Sequence, residues 1–347
     1  MAAPLRVGIL VDSSEPAAEL PATASLLQVP VRDLVASGRI ARPVAFVVAH
    51  GLGLPAGSAA AVERAYVELV EQDVVLIVGP AIGDDALVAE PLAARHEVPT
   101  IQWSGTERAR NDWMFQLQVG SHEDESVLLA RHLADGGSRR IGVVYDASPI
   151  GRRHLQFFAG EATALGLEVA ATASVDPLAD DATDAVSAAL VGGADSLAYF
   201  GLGFSAPAVA ESARRVGVGG PVVMNTAGMR GHDPAFAARI DGWVYVDMYA
   251  DDNTVLAAVR ERLGPGAAPG PFPAFGWDLG QLVAEGLAHA PEPTRAGVRE
   301  GLELVKWLPA AEGHDGTMLG FGHHQHGALH GRYLVLRAWR DGVSVQV

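Results

Sequence analysis

The sequence contains no cysteine among its 347 residues. This absence excludes disulfides, thiolate metal sites, a cysteine nucleophile and a lipid anchor on cysteine, but it leaves the cellular compartment open. No apolar run approaches the roughly 20 residues that a membrane span needs. The net charge is −16, from 25 basic and 41 acidic residues, and no basic stripe is visible. These features argue against a nucleic-acid or polyphosphate partner.

A secretory leader is also missing from the sequence as written. In the segment MAAPLRVGILVD, the first predicted strand begins at about Arg6. The charged region and the apolar region of a secretory leader do not precede it. Two expectations follow. The protein is cytoplasmic as written, which the sequence slightly favours, or extracytoplasmic if a leader was removed.

Apolar, β-branched runs recur along the chain and predict strands. Most are continuously apolar, which is typical of strands covered on both faces, as in parallel sheets. The predicted strands span 6–12, 43–49, 74–80, 98–103, 114–119, 140–146, 168–175, 196–202, 221–227, 242–249 and 332–339.

Segments of helical period lie between these strands, at 58–72, 84–96, 122–135, 151–166, 180–191 and 205–216. A Pro/Gly-rich linker at 263–276 and two more helices precede the last strand. Since 347 residues exceed one ordinary core, the alternation predicts an α/β protein of two doubly wound units.

A glycine-rich segment, VVAHGLGLPAG at 47–57, raises the question of a nucleotide site. The dinucleotide fingerprint requires G-x-G-x-x-G and an acidic residue at the end of the next strand. Here Gly51, Gly53 and Gly57 are spaced differently, and Glu71 falls at a helix end. The segment is therefore interpreted as a connection, and no cofactor is predicted.

Several longer segments carry a family resemblance. The first, DVVLIVGPAIGDDALVAEPLAARHEVPTIQWSGT at 73–106, resembles a signature of type I periplasmic solute-binding proteins, the Leu/Ile/Val-binding family of ABC transporters. Similar stretches follow in the family's order at 140–170, 194–225, 275–290 and 331–342. The resemblance covers nearly the whole chain.

The resemblance implies an architecture of two doubly wound Rossmann-like lobes with three hinge crossings, near 115–119, 243–248 and 317–322. Lobe I would contain residues 1–117 and 247–318, and lobe II residues 118–246 and 319–347. Ligand would bind in a cleft between the lobes, which close around it by a hinge motion.

The first lobe would line this cleft with the loop after strand 1, the start of a helix and the turn after strand 98–103. The implied residues are Ser13, Ser14, Ile82, Gly83, Asp84, Trp103, Ser104, Gly105 and Thr106. In the family, hydroxyl and N–H groups of the last positions hold the ligand carboxylate, and Ser104 and Thr106 preserve that chemistry. Alternatively, both hydroxyls cap the local turn. Asp84 and Asp85 would be favoured by the helix dipole without any ligand.

The second lobe would contribute Asp146, Ile150, Phe204, and Asn225 to Met229, including Ala227; Trp277 would return to the first lobe. Trp103, Phe204 and Trp277 are predicted to flank a flat or apolar group, or else to belong to the core. Ala227 stands where amino-acid binders of the family have a carboxylate for the ligand ammonium. Unless Asp146 or Asp247 substitutes, the ligand is expected to be an amide, an aromatic acid or another small carboxylate.

Histidines cluster in GHHQHGALHG at 322–331, which makes His323, His324 and His326 weak metal-ligand candidates, with His330 and the upstream His314 nearby. Gly322, Gly327 and Gly331 argue against a helix there, so a polar loop is preferred and no metal site is predicted.

Motifs of catalysis are missing, including G-x-S-x-G, H-E-x-x-H and a P-loop. No enzymatic activity is therefore expected, although distant residues can still form acid–base pairs. Two functions stay open. The chain is a solute-binding component that delivers its ligand to an ABC permease, or a cytoplasmic ligand sensor, similar to amide-sensing regulators, that acts on a regulatory partner protein.

Overall fold

The computed structural model describes residues 3–14, 22–266, 268 and 270–347. The chain divides into two units, each built from two stretches of sequence. Unit 1 contains Met1–Val119 and Met248–Tyr333, and unit 2 contains Gly120–Asp247 and Leu334–Val347.

The strands follow the predicted apolar runs. In chain order they are β1 (Leu5–Val11), β2 (Val44–His50), β3 (Leu76–Val78), β4 (Thr100–Gln102), β5 (Met114–Gln116), β6 (Arg140–Asp146), β7 (Glu168–Val175), β8 (Ser196–Phe200), β9 (Val222–Met224), β10 (Val244–Asp247), β11 (Leu308–Pro309), β12 (Met318–Leu319), β13 (Leu329–His330), β14 (Val335–Arg340) and β15 (Val343–Gln346). Each predicted strand has an observed counterpart, β1 to β10 and β14.

The helices occupy the segments between the strands. They are α1 (Ala22–Leu26), α2 (Gln28–Ala36), α3 (Ala59–Glu71), α4 (Gly83–His96), α5 (Asp124–Asp135), α6 (Pro149–Ala164), α7 (Thr183–Ala189), α8 (Ala206–Val216), α9 (Pro234–Ala237), α10 (Thr254–Leu263), α11 (Phe272–His289) and α12 (Arg295–Glu303). Short 3-10 helices span Glu107–Ala109 and Thr226–His232. Ser58 caps α3, because its side chain accepts the N–H of Ala61.

Unit 1 is built on a five-stranded parallel sheet in the order β2-β1-β3-β4-β5. Strand β1 pairs with β2 on one side and with β3 on the other, so the chain changes direction across the sheet at β1. Buried side chains of β1 and β3 pack against α11, which is itself almost entirely buried. The predicted doubly wound class is confirmed.

Unit 2 repeats this arrangement. Its seven-stranded sheet has the order β15-β14-β10-β9-β8-β6-β7, in which β6 to β10 are parallel and β14 and β15 are antiparallel additions. Strand β6 lies between β7 and β8 as β1 lies between β2 and β3. The two units therefore share one topology over five strands each.

The third boundary between the units corrects the prediction. Residues 319–333 were expected in lobe II, but they belong to unit 1. Strand β12 pairs with both β11 and β13. In addition, the N–H of Gln116 donates to the carbonyl of His326 at 2.8 Å, and the N–H of Ala328 donates to the carbonyl of Gln116 at 2.8 Å. These backbone bonds attach the segment to unit 1, and the chain passes to unit 2 after Tyr333.

The predicted linker at 263–276 is shorter in the structure. Helix α10 ends at Leu263 and α11 begins at Phe272, so the end of the predicted linker is helical. Proline is tolerated in the first helical turn because its missing N–H has no partner there. Positions 267 and 269 of the predicted linker lie outside the described residues. None of the described helices combines the length and apolar character required to cross a membrane.

The glycine-rich segment at 47–57 forms the end of β2 and its connection to α3. A side chain at Gly51 would come within 2.5 Å of the carbonyl of Ala61, and one at Gly53 within 2.0 Å of the Asp85 carboxylate. A close approach of the chain to its neighbours accounts for these glycines. The geometry supports the interpretation of the segment as a connection.

Candidate functional site

The carboxyl edge of the unit 1 sheet is organised by Asp12, the residue that follows β1. Its side chain is buried and accepts the N–H of Ala81 at 3.0 Å and of Ile82 at 2.8 Å. Burial raises the pKa of Asp12, and the N–H groups of Ala81 and Ile82 oppose that rise. Asp12 therefore fixes the loop after β3 beside the end of β1, where the chain changes direction. Open α/β sheets bind ligands at this position.

A small pocket opens at this edge of unit 1. Its walls are mainly apolar, with Leu27, Val78, Trp103 and Leu279 among them, whereas Asp12, Ser13 and Thr23 contribute the polar groups. Ser13 and Ser14 are exposed. A mainly apolar concavity with a few polar groups is typical of small-molecule sites.

The turn after β4 contains the two predicted carboxylate-binding hydroxyls, and both side chains are buried. The Ser104 hydroxyl donates to the Gln102 side chain at 2.7 Å and accepts the N–H of Thr106 at 3.3 Å. Ser104 therefore stabilises the local turn, as the alternative interpretation expected. No hydrogen bond joins the Thr106 hydroxyl to any described residue, which leaves that hydroxyl able to bind a solute. Gly105, between them, is buried.

The start of α4 places Gly83 and Asp84 in the first helical turn, after the half-buried Ile82. N–H groups of a first turn have no partner within the helix and favour negative charge. Asp84 and Asp85, in the same turn, are both buried. Burial and the neighbouring Asp12 carboxylate raise the pKa of Asp85 to about 8, although the N–H of Leu54 opposes the rise.

The two tryptophans predicted to flank the ligand pack in different clusters of unit 1. Trp103 is half-buried and lies 6.2 Å from the ring of Phe275. Trp277, two residues further along α11, packs in a second cluster beneath the guanidinium of Arg262, at 5.3 Å. Neighbouring positions two apart on a helix point in different directions. Trp103 faces the pocket at the carboxyl edge, and Trp277 is not among the residues that line that pocket.

In unit 2, Asp146 ends β6 and is fully buried. Its carboxylate accepts the N–H of Leu202 at 2.6 Å and the hydroxyl of Ser148, which also caps α6. Burial raises the pKa of Asp146, and the hydrogen bonds from Ser148 and Leu202 oppose that rise. Asp146 therefore holds the loop after β8 beside β6, as Asp12 holds the loop after β3 in unit 1.

Asn225, which follows β9, is buried and bridges two neighbouring loops. Its side chain accepts the N–H of Gly201 at 3.2 Å and donates to the carbonyl of Gly201 at 2.9 Å. Its amide nitrogen also lies 3.3 Å from Nε2 of His154. Asn225 thus positions the loop that carries Phe204.

The other predicted residues of unit 2 differ in their exposure. Phe204 is half-buried beneath the guanidinium of Arg230, at 4.6 Å from the ring centre. Ile150 is buried in the first turn of α6. Ala227 belongs to the main hydrophobic cluster of unit 2 and is 5% exposed.

The histidines of 322–331 have partners within unit 1. His323 pairs with Glu303, Nδ1 of His326 lies 2.7 Å from the carbonyl of Asn111, and Nε2 of His330 lies 3.0 Å from the carbonyl of Gly320. His324 is exposed. Within the described ranges, no group of three or more His, Cys, Asp or Glu side chains is arranged to hold a metal ion.

A family model described as periplasmic binding protein matches residues 4–336 of this sequence. The chain belongs to the periplasmic binding protein family. This match, together with the shared strand order of the two sheets, confirms the family resemblance drawn from the sequence motifs.

Solved structures of other periplasmic binding proteins share the fold. A periplasmic binding protein type 1 from Bordetella pertussis Tohama I has a TM-score of 0.84 at 16% identity, over 99% of this chain and 100% of that one. A leucine binding protein from Thermotoga maritima MSB8 has a TM-score of 0.81 at 14% identity, over 99% and 97%. A putative branched-chain amino acid ABC transporter from Rhodospirillum rubrum has a TM-score of 0.69 at 18% identity, over 99% and 100%. No curated protein matches the sequence significantly.

The structure of this periplasmic binding protein also reveals polar residues that the sequence analysis missed. Asp12 organises the edge of unit 1, and His122, Glu125 and His154 are buried near the carboxyl edge of unit 2. An acidic residue directly after the first strand was a visible signal for Asp12. No local signal distinguishes His122 from a surface histidine, because its burial depends on α6, where its ring meets His154.

Proposed function

We propose that the protein is the substrate-binding component of a branched-chain-amino-acid-type ABC transporter. It captures a small polar or aromatic solute by closure of its two units and releases it chemically unchanged to a permease. The single observation that carries the proposal is the pocket at the carboxyl edge of unit 1, in a chain of the periplasmic binding protein family. Names of two solved relatives, a leucine binding protein and a branched-chain amino acid ABC transporter, support the transport context.

Each unit offers candidate ligand contacts at the carboxyl edge of its own sheet. Unit 1 supplies the pocket wall of Trp103, the Thr106 hydroxyl and the first-turn N–H groups of α4, with Ser13 at the rim. Unit 2 supplies the loop that carries Phe204. In this proposal, Asp146, Asn225 and Ser104 position these loops, since each is engaged in hydrogen bonds within its own unit.

The chemistry of unit 2 argues against an α-amino acid ligand. A buried ammonium needs an anionic partner, and without one the burial costs several kcal/mol. Ala227 provides no carboxylate. Asp146 already accepts two donors, and Asp247 is fully buried, with its carboxylate 3.6 Å from His232. An amide, an aromatic acid or another small carboxylate fits this arrangement better.

A thermal-shift screen tests the proposal, with small carboxylates, amides, aromatic acids and amino acids as the panel. A bound solute at 100 times its Kd stabilises the folded protein by about 2.7 kcal/mol, so a true ligand raises the melting temperature measurably. Calorimetry of each positive solute gives its Kd, and mass spectrometry after incubation shows whether it is recovered unchanged.

Thr106→Val removes one hydroxyl at nearly constant volume and is expected to weaken binding of a carboxylate about tenfold, or 1.4 kcal/mol. Thr183→Val, at the start of α7 in unit 2, serves as the matched control. A panel without any stabilising solute, or a solute recovered in altered form, would refute the proposed function. Sub-micromolar leucine binding would refute the ligand class alone.

A further inference from the structure

Two histidines lie side by side in the interior of unit 2. His122 precedes α5 and His154 lies in α6, and their ring centres are 5.1 Å apart. Both residues are at least nine-tenths buried, with exposures of 5% and 1%. They nevertheless differ in their hydrogen bonding.

His154 has a partner for each ring nitrogen. Its Nδ1 lies 3.1 Å from the hydroxyl of Ser126, and its Nε2 lies 3.3 Å from the amide nitrogen of Asn225. Because an amide nitrogen only donates, Nε2 is the acceptor and Nδ1 carries the proton. The ring also stacks on Phe200 at 5.6 Å. His154 is therefore a satisfied structural residue.

His122 has no such partners. No described residue forms a hydrogen bond with either of its ring nitrogens. Neither nitrogen is among the fully enclosed side-chain atoms that lack a partner, so both reach accessible space. These nitrogens are therefore free to hydrogen-bond water, or a solute that displaces that water. A partner outside the chain would account for the arrangement.

The position of His122 identifies where that partner binds. Helix α5 leads into β6, so the start of α5 lies at the carboxyl edge of the unit 2 sheet. The neighbouring contacts agree, because Thr226, directly after Asn225 at the end of β9, donates its N–H to Glu125 in α5 at 2.7 Å. The imidazole of His122 thus lies at the edge where open α/β sheets bind ligands.

The charge state of His122 defines the chemistry of the partner. Burial and the positive charge of Arg153 lower the pKa of His122 to about 3. The side chain is therefore a neutral imidazole at physiological pH, with one N–H donor and one acceptor nitrogen. A hydroxyl or a carboxamide can pair with either ring nitrogen, because it both donates and accepts, whereas a methyl group in the same place pairs with neither.

We propose that His122 hydrogen-bonds an uncharged hydroxyl or carboxamide of the bound solute and so selects solutes that carry this group. The proposal rests on the solute-binding function and adds a recognition residue to it. His122 contacts the solute directly, and the adjacent His154 keeps its ring in place.

The test uses two pairs of probes in which a methyl group replaces a hydroxyl at similar volume. One pair is 4-hydroxybenzoate and 4-methylbenzoate, and the other is 4-hydroxybutanoate and pentanoate. The wild-type protein is expected to bind the hydroxyl member of at least one pair about tenfold more tightly or better, because a site built for a hydroxyl rejects the analogue that lacks it. Calorimetry or a thermal-shift titration gives the two dissociation constants.

His122→Phe keeps a ring of similar size but removes both nitrogens. It is expected to reduce the preference to about threefold or less, while the melting temperature without solute stays equal or rises, since no hydrogen bond within the protein is lost. A purely structural role for His122 predicts the opposite, a lower melting temperature with an unchanged preference. His132→Phe, in the last turn of α5, is the matched control and is expected to retain the wild-type preference.

A measurement on the wild-type protein covers the case in which His122→Phe does not fold. With histidine labelled by nitrogen-15, addition of the hydroxyl probe is expected to shift the His122 ring signals, and addition of the methyl probe is not. Absence of this shift, equal affinity for both members of each pair, or a preference that survives in His122→Phe overturns the inference. If all four probes fail while the wider panel yields a ligand, the inference falls and the proposed function stands.

Discussion

Asp85 and Asp12 are neighbouring buried carboxyl groups in unit 1, and the charge of Asp12 contributes to the raised pKa of Asp85. Asp12 accepts the N–H groups of Ala81 and Ile82, and Asp85 accepts the N–H of Leu54 at 2.9 Å. The pair therefore joins the end of β1, the loop after β2 and the start of α4. Two ionised carboxylates so close repel each other, which favours the protonated form of Asp85.

Stability is expected to fall as the pH rises through 8. The pKa of Asp85 is about 8 in the folded protein, above its ordinary value of 3.8, so the folded state binds the proton more tightly. The stabilisation is complete below about pH 4 and is lost as the pH rises through 8. Asp85→Asn mimics the protonated acid and is expected to flatten this dependence and to raise the melting temperature at pH 8. Thermal unfolding from pH 5 to pH 9 measures the effect.

The exposed Glu63 of α3 provides the control for this pH dependence. Glu63→Gln should leave the slope of melting temperature against pH unchanged. A residual slope is expected even in Asp85→Asn, because burial also raises the pKa of Asp278 to about 7. Equal slopes in the wild type and Asp85→Asn would contradict the raised pKa of Asp85.

Removal of the Asp146 carboxylate is expected to destabilise unit 2. Asp146→Ala leaves the N–H of Leu202 without its acceptor, at a cost of about 1–3 kcal/mol. Asp146→Asn retains an acceptor oxygen and should cost less. Urea unfolding followed by circular dichroism compares the two variants. If Asp146→Asn folds normally but loses its solute, the residue contacts the ligand and its role as a positioning residue is wrong.

A carboxylate at position 227 is not expected to create an amino-acid site. Ala227 is buried in the main cluster of unit 2, so Ala227→Glu must bury a charge among apolar side chains and is expected to lower stability by about 2 kcal/mol or more. Ala235→Glu, at an exposed alanine of α9, is the control. A stable Ala227→Glu variant that binds leucine in calorimetry would show instead that the position faces the ligand.

Gly53 tests the interpretation of the glycine-rich segment as a packed connection. Gly53→Ala places a Cβ 2.0 Å from the Asp85 carboxylate and must displace it, with an expected cost of about 1–3 kcal/mol. Gly160→Ala, inside α6 where a Cβ meets nothing within 4 Å, should be neutral or stabilising. The urea concentration at the unfolding midpoint compares the stability of the two variants. An unchanged midpoint in Gly53→Ala would indicate that the glycine serves another purpose.

The strands were predictable from the sequence because the parallel sheets are covered on both faces. Continuous apolar runs mark such strands without any knowledge of their partners. The ends of the strands were less predictable. The strand predicted at 74–80 extends only over Leu76–Val78 in the structure. Helix α10 was missed although Asn253 is a readable N-cap, whose side chain accepts the N–H of Leu256.

Long-range contacts could not be read from local patterns. The third boundary was misplaced because the attachment of 319–333 to unit 1 depends on pairing with Gln116, some 200 positions earlier in the sequence. The prediction named Asp146 and Asn225 at the carboxyl edge of unit 2, but their hydrogen bonds within the unit only emerge from the fold. His122 escaped notice for the same reason, because burial and missing partners are properties of the folded chain.

The discontinuity of both units has a consequence for biosynthesis. Strands β14 and β15 complete the unit 2 sheet from the last fourteen residues, Leu334–Val347, and Trp339 of β14 donates its indole N–H to the carbonyl of Gly228. A ribosome that has released residues 120–247 has therefore exposed an open sheet edge beside β10, which is a surface prone to self-association. Nascent chains of this protein should depend on chaperone protection of that edge until residues 334–347 have been synthesised.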